Sequence, residues 1–384
     1  MLKDAIAKLI DRKTLARAEI ARVFEEIFAG NATQAQLGAL LVALRMKGET
    51  AEEIAGAAEV MRAKATRVRT PPGAVVLDTC GTGGDGAQTF NISTAVAFIA
   101  AAAGATVAKH GNRSVSSRCG SADVLAAAGV GLETPVERVE HCLEQIGIGF
   151  LFAPALHGVM KHVIGPRREI GARSIFNLLG PLSNPAGATH QLLGVYDGAM
   201  VPVLAETLRQ LGSVRALVVH GEDGLDEISP CGPTIAALVE DGRVRPLRIT
   251  PEDAGLERID PESLRGGDPA ENLAQLRALF DGEPGPIRDA VILNAAGAIW
   301  ISGFAKDLRD GAELARAAID GGHARRKLAQ LVQLTGPAGG ERTRGEPHSA
   351  HAETYSAHAE PDSAHAEPDP VRAEPVEAPL KRTS

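Results

Sequence analysis

The sequence predicts an α/β protein: a small all-helical domain followed by a larger domain with a mostly parallel sheet. Three observations predict it. Residues 1–70 carry helical periodicity and no strand pattern. From Ala74 onward, strand-like and helix-like runs alternate, as they do in parallel sheets covered by helices. Between the first strand and the next helix lies Gly81-Thr82-Gly83-Gly84-Asp85-Gly86, four glycines in six positions. Backbone N–H groups converge in such a turn and the helix dipole adds positive potential, so it suits a phosphate or pyrophosphate.

In the helical part, Leu37, Leu40, Leu41 and Leu44 recur at helical spacing. Thr33 and Thr50 read as N-caps, and Glu53 completes a capping box with Thr50. Gly30 and Gly48 stand where helices stop. Pro71-Pro72-Gly73 breaks the pattern and reads as an interdomain hinge. Strands are predicted at 74–77, 105–109, 149–152, 191–195 and 214–220, with helices at 95–103, 122–128, 136–146 and 200–211. A helical, Arg-bearing stretch at 154–180 interrupts the alternation and is expected to pack on the first domain. A hairpin at 234–240 and 243–249 turns at Asp241-Gly242. Helices return at 269–281, 287–302, 311–320 and 323–335, closing an α/β domain of residues 74–335.

Residues 336–384 differ in composition. Three near-copies of a seven-residue unit begin at Ser349, Ser356 and Ser363, each reading Ser-Ala-His-Ala-Glu. Too few apolar groups are present to offset ordering entropy, so a disordered tail is expected.

Bulk composition excludes several function classes. Of 384 residues, 44% are hydrophobic but only 3% aromatic, so the core is aliphatic and base-stacking platforms are lacking. The net charge of −8, without a Lys/Arg stripe, argues against nucleic acid as a partner. No run of about 18 apolar residues exists to span a membrane. Met1-Leu2-Lys3-Asp4 opens an amphipathic helix rather than a signal peptide, so a cytoplasmic location is expected. Cys80, Cys119, Cys142 and Cys231 lack Cys-x-x-Cys spacing, which disfavours a zinc site or disulfide framework.

The glycine turn is followed by Thr89, Asn91, Ile92, Ser93 and Thr94, which place hydroxyl and amide groups at a helix start. Lys109 ends the next predicted strand and leads into His110, Gly111, Asn112, Arg113, Ser114, Val115, Ser116 and Ser117, with Ser121 beyond. Two consecutive polar loops at strand ends imply a ligand with several phosphates. Neither a Rossmann nor a Walker loop fits, because no Gly-Lys-Ser/Thr closes the turn and Asp85 lies inside it. Asp226-Glu227, after the strand at 214–220, is a candidate Mg²⁺ pair; a solvated acidic turn is the competing reading.

The chain resembles the anthranilate phosphoribosyltransferase family. The match rests on the glycine turn, Asn91-Ile92-Ser93-Thr94, Lys109 to Arg113, Ser116-Ser117, Gly120 to Asp123, Arg173 to Pro181 and Gly224 to Glu227. It covers about residues 1–335, in order. The resemblance implies a nucleoside phosphorylase/phosphoribosyltransferase-like fold, a homodimer, and transfer of the phosphoribosyl group of phosphoribosyl pyrophosphate to anthranilate. It implies that residues Gly81, Gly84, Asp85, Thr89, Asn91 to Thr94, Lys109 to Ser117 and Ser121 bind the phosphoribosyl donor. Gly81, Asn112 and Arg167 are implied at anthranilate. Ser93, Asp226 and Glu227 are implied ligands of Mg²⁺, two ions per subunit. His110 and His157 read as wall or packing residues. Two positions depart from the family pattern: Cys119 replaces a small or hydroxyl residue, and Pro166 precedes Arg167. Two alternatives remain at this level. A pyrimidine nucleoside phosphorylase shares the architecture but not the Lys109 to Arg113 loop. A non-catalytic nucleic-acid-binding relative needs a basic surface that the net charge of −8 argues against.

Overall fold

In the computed structural model, residues 1–114 and 118–336 are described. The chain opens with helices α1 (Leu2–Ile10), α2 (Arg17–Phe28), α3 (Gln34–Lys47) and α4 (Ala51–Lys64). Both expected caps form: Thr33 Oγ1 accepts from Gln36 N, and Thr50 Oγ1 from Glu53 N. Such a cap stabilises a helix by about 1 kcal/mol. Gly48 closes α3 at φ +89°. Gly56 lets α4 approach α2: a Cβ there would stand 2.6 Å from the Arg17 carbonyl oxygen.

Seven strands then form one sheet, in the order β3-β2-β1-β4-β5-β6-β7. They are β1 (Val76–Gly81), β2 (Thr106–Gly111), β3 (Ile148–Phe152), β4 (His190–Gly194), β5 (Arg215–Gly221), β6 (Thr234–Glu240) and β7 (Arg243–Ile249). β1 to β5 pair in parallel, and β6 and β7 add an antiparallel hairpin. The connecting helices are α5 (Ile92–Ala102), α6 (Ser121–Ala127), α7 (Val136–Ile146), α8 (Ala153–Leu156), α9 (Ile164–Ile170), α10 (Ile175–Leu182) and α11 (Met200–Gln210). After the hairpin come α12 (Pro269–Phe280), α13 (Pro286–Ile301), α14 (Leu308–Asp320) and α15 (His323–Thr335).

The sheet is buried on both faces, as alternate residues along its strands reveal. On β5, Leu217 and Val219 join the core formed with α5 and α12 to α15. Ala216 and Val218 join the opposite core, which includes Phe24, Leu40, Leu44 and Ile54 of the N-terminal helices. The helical bundle therefore shares an apolar core with one sheet face. Phe176 of α10 belongs to it, 5.6 Å from Phe24 between ring centroids. No helix among the described residues is long and apolar enough to cross a membrane.

Three expectations shift. The first strand runs 76–81, not 74–77, because buried Asp78 is satisfied by Asn184 Nδ2 and His110 N and the polar residues stay extended. The stretch at 154–180 is not one helix but α8, a 3₁₀ turn at Gly158–His162, α9 and α10, broken at Gly171 with φ +60°. α14 starts three residues early, where Asp307 accepts from Asp310 N. The tail from 337 onward lies outside the described residues.

Candidate active site

The strand order reverses between β1 and β4, the position at which α/β sheets open a ligand crevice. Gly81 and Gly194 are register partners at the two strand ends. The loop after β5 carries Asp226 across them: a Cβ on Gly81 would stand 2.5 Å from Asp226 Oδ2, and one on Gly194 would overlap the Asp226 carbonyl. Gly83 N donates to Asp226 Oδ2 at 2.9 Å. Gly83, Gly84 and Gly86 have φ of +66°, +77° and +80°, which side chains rarely tolerate. The N–H groups of Gly84, Asp85 and Gly86 meet no acceptor among the described residues. Asp85 Oδ1 accepts from Ala87 N at 3.2 Å, while its Oδ2 is buried without a partner.

The acidic pair lies beneath this turn. Ser93 N, in the first turn of α5, donates to Glu227 Oε1 at 3.2 Å. Burial, with the Asp85 carboxylate nearby, pushes Glu227 up to about 8 against the opposing pull of Lys109. Asp226 is raised well above the carboxylate range by burial, then by Asp85 and Glu227. None of these three carboxylates has an ion-pair partner among the described residues. Lys109 is buried, and its Nζ donates to the Thr79 carbonyl at 2.5 Å and Ser93 Oγ at 3.4 Å. Burial lowers its pKa, although Asp78 and Glu227 oppose the shift. The lysine thus stands against Ser93, anchored to β1.

The second loop forms a separate lobe tied to α6. Asp123 Oδ2 accepts from Ser114 N and Gly120 N, and Asp123 Oδ1 pairs with Arg113 at 3.0 Å. Ser121 Oγ donates to the Asn112 carbonyl at 3.2 Å. Asn91 joins the lobes, its Nδ2 donating to the Cys119 carbonyl at 3.0 Å. Cys119 accordingly sits in contact with Asn91, buried, its thiol pushed up to about 11 by burial. Ile92 is a core residue and offers the site only backbone. Thr89 pairs with Arg265 in an isolated bridge at the far end of the first loop. Val115, Ser116 and Ser117 lie outside the described residues.

His110 pairs with His157, Nε2 to Nε2, at 3.2 Å. His110 Nδ1 is 3.1 Å from the Gly180 carbonyl, which only accepts, so His110 donates there and receives the His157 N–H. Burial, then the neighbouring His157, brings His110 down to about 3; burial alone brings His157 down to about 4. Arg167 lies on α9. Its guanidinium lies 5.2 Å from the Phe176 ring centroid, half-buried and with no salt bridge to Glu169. Pro166 occupies the first turn of α9, where its missing N–H costs no helical bond.

Two family models match this chain. Residues 73–325 match the glycosyl transferase family a/b domain and residues 3–65 the helical bundle domain of that family. An anthranilate phosphoribosyltransferase of Myxococcus xanthus is 58% identical over 333 residues, 86% of this chain and 98% of the relative. The chain belongs to the anthranilate phosphoribosyltransferase family. The crystal structure of the family member from Thermus thermophilus superposes with a TM-score of 0.82 at 44% identity, covering 86% of this chain and 99% of that one. The Saccharomyces cerevisiae anthranilate phosphoribosyltransferase, solved in complex with PRPP and Mg, superposes at 0.80 with 27% identity, covering 87% and 97%.

The residues at the acidic pair fit a magnesium ion. Asp226, Glu227 and Ser93 are an all-oxygen donor set, and burial disfavours the two carboxylates' charge until a cation arrives. Among the described residues no three His, Cys, Asp or Glu side chains form a complete cage. That suits Mg²⁺, which keeps waters and takes substrate phosphates as its remaining ligands.

Several supporting residues escaped the sequence reading. Asn272 Nδ2 donates to Asn91 Oδ1 at 2.9 Å and Asn272 Oδ1 accepts from Gly267 N at 2.6 Å. Asn294 brackets Ile228, next to Glu227, accepting from its N–H and donating to its carbonyl. Asn294 interrupts the apolar run Val291 to Ala298, and such an isolated amide was the available signal.

Proposed function

We propose that this crevice transfers the phosphoribosyl group of phosphoribosyl pyrophosphate to the amine of anthranilate, giving N-(5-phosphoribosyl)anthranilate and pyrophosphate. The carrying observation is the meeting of three acceptorless N–H groups with three half-buried carboxylates that form no ion pair among the described residues. The first arrangement takes phosphate oxygens, and the second takes the metal that accompanies them. The bond from ribose C1 to the pyrophosphate oxygen breaks, the nitrogen–C1 bond forms, and the amine loses a proton. That amine is neutral at pH 7, so no strong base is required. The buried His110, held down to about 3, is a wall residue in this scheme. Positioning and charge stabilisation on the leaving group supply the rate. Gly81, Gly84, Asp85, Thr89, Asn91 and Thr94 hold pyrophosphate and ribose. Lys109 orients Ser93, and the loop through Asn112 and Ser121 takes the remaining phosphate. Bound Mg²⁺, held by Ser93, Asp226 and Glu227 and numbering two ions per subunit, neutralises the pyrophosphate charge.

Arg167 faces the anthranilate carboxylate, with Gly81 and Asn112 nearby; among the described residues no carboxylate pairs with its guanidinium. We assign the helical domain to residues 1–70 and the catalytic domain to 74–335, with Pro71 to Gly73 as hinge, in a cytoplasmic homodimer. Loss of anthranilate fluorescence on adding phosphoribosyl pyrophosphate and Mg²⁺ tests the reaction. Phosphorolysis of thymidine instead would overturn it. Arg167→Ala is expected to raise the KM for anthranilate roughly tenfold or more. A rise confined to the donor would remove the carboxylate role.

A further inference from the structure

Arg173 was noted in the sequence only as part of a family motif, and no step above uses it. It lies just before α10, half-buried, with its guanidinium carbon 4.0 Å from the Tyr196 ring centroid. Its other neighbour is the glycine turn. A Cβ built on Gly84 would stand 3.0 Å from Arg173 Nη2, 3.3 Å from Nε and 3.4 Å from the guanidinium carbon. The guanidinium thus rests against a backbone turn whose successive N–H groups, Gly84 to Gly86, lack acceptors among the described residues. Among the described residues Arg173 has neither an ion pair nor a hydrogen bond.

The platform beneath it is fixed on two sides. Tyr196 N donates to Thr82 Oγ1 at 3.1 Å, and Arg45 Nη1 of α3 donates to the Tyr196 hydroxyl at 3.3 Å. Stacking on an aromatic ring orients a guanidinium while leaving its N–H edge open, and it needs no carboxylate. An arginine held this way at a turn already bordered by Asp85 and Asp226 adds the positive charge that these acids withhold from an anion.

We propose that Arg173 is a further binding residue for the pyrophosphate end of the donor, presented by Tyr196 at the Gly84 turn. The inference rests on the pyrophosphate site described above. A planar cation with five donors grips phosphate oxygens bidentately, so Arg173 adds to the backbone N–H groups the charge-assisted bonds they cannot make. Because the leaving group gains negative charge as the bond to C1 breaks, the contact strengthens during reaction.

The test compares wild type, Arg173→Ala and Arg173→Lys, using inorganic pyrophosphate with Mg²⁺ as the calorimetric probe and KM for each substrate as the kinetic one. Arg173→Ala is expected to weaken pyrophosphate binding and raise the donor's KM by about 10- to 100-fold, leaving that for anthranilate within about twofold. Arg173→Lys recovers part of this loss, because charge is kept and the fork is not. If wild type binds pyrophosphate and Arg173→Ala binds it equally well, this inference fails alone. Equal losses in both variants, together with a lowered melting temperature, would make the residue a packing clamp and also overturn it. If wild type binds no pyrophosphate, the site reading fails and this inference with it.

Discussion

Two acidic sites in this molecule, one buried and one half-buried, solve the same problem in opposite ways. In the helical bundle, Glu53 is fully buried and satisfied by the protein itself. Lys47 Nζ reaches Oε2 at 2.8 Å, Thr50 N at 2.9 Å and Thr50 Oγ1 at 3.0 Å, while Leu15 N reaches Oε1 at 2.9 Å. At the sheet's crevice, Asp226 and Glu227 each receive one backbone N–H, and Asp85 Oδ2 receives nothing. Leaving a buried carboxylate short of partners is costly, so such a group persists where something outside the chain completes it. The difference separates an acid that holds the fold together from acids addressed to a ligand. It also separates their stability effects, since among the described residues only the first forms an ion pair, with Lys47.

The largest expected effect falls on the crevice. Asp226→Asn combined with Glu227→Gln should lower kcat/KM on the order of 10³-fold. The urea midpoint should hold or rise, because two acids with few protein partners are removed. A loss of stability instead would merge the two sites into one structural class. Next comes Glu53→Ala, which leaves Lys47 buried and uncompensated. It should destabilise the protein by roughly 3–5 kcal/mol, with KM for both substrates nearly unchanged in the folded fraction. Intact stability would break the comparison from the other side. The effect per pH unit is smallest at His110 and His157, a buried pair whose rings hydrogen-bond each other. Their folded pKa values, about 3 and about 4, lie below the ordinary 6.5. The unfolded chain therefore binds more protons between pH 6.5 and 4. Their contribution is complete above 6.5 and is lost as pH falls, by up to about 1.4 kcal/mol per pH unit for each histidine. Denaturant titration of wild type against a His110→Asn, His157→Asn double variant measures it; parallel pH curves would refute the assignment.

Much of this frame was legible in the sequence because its signals are local. Capping Thr33 and Thr50, the Asp241-Gly242 hairpin and the apolar strand runs all act within a few residues. The glycine turn and the two polar loops were equally plain. What escaped were polar residues acting across the fold. Asp78 extends β1 because Asn184, more than a hundred residues away, reaches its carboxylate. The His110–His157 pair, the Asn272–Asn91 bond and the Arg173–Tyr196 stack likewise join distant segments, and no periodicity reports them. Lys109 was read as a phosphate ligand, while its Nζ in this structure is engaged by Thr79 and Ser93. Spacing in the chain identifies the lysine but not the direction in which burial turns it.

Gly194 limits how this chain can diversify. It lies at the end of β4, all of whose residues are buried. Yet the Asp226 backbone passes directly over its α-carbon, so even a methyl group there would lift the acidic loop from its floor. Any side chain at this position therefore displaces the acidic loop, however small the substitution. The metal-side loop and the strand end must therefore be inherited together, and an engineer grafting the loop onto another sheet would have to carry the glycine with it.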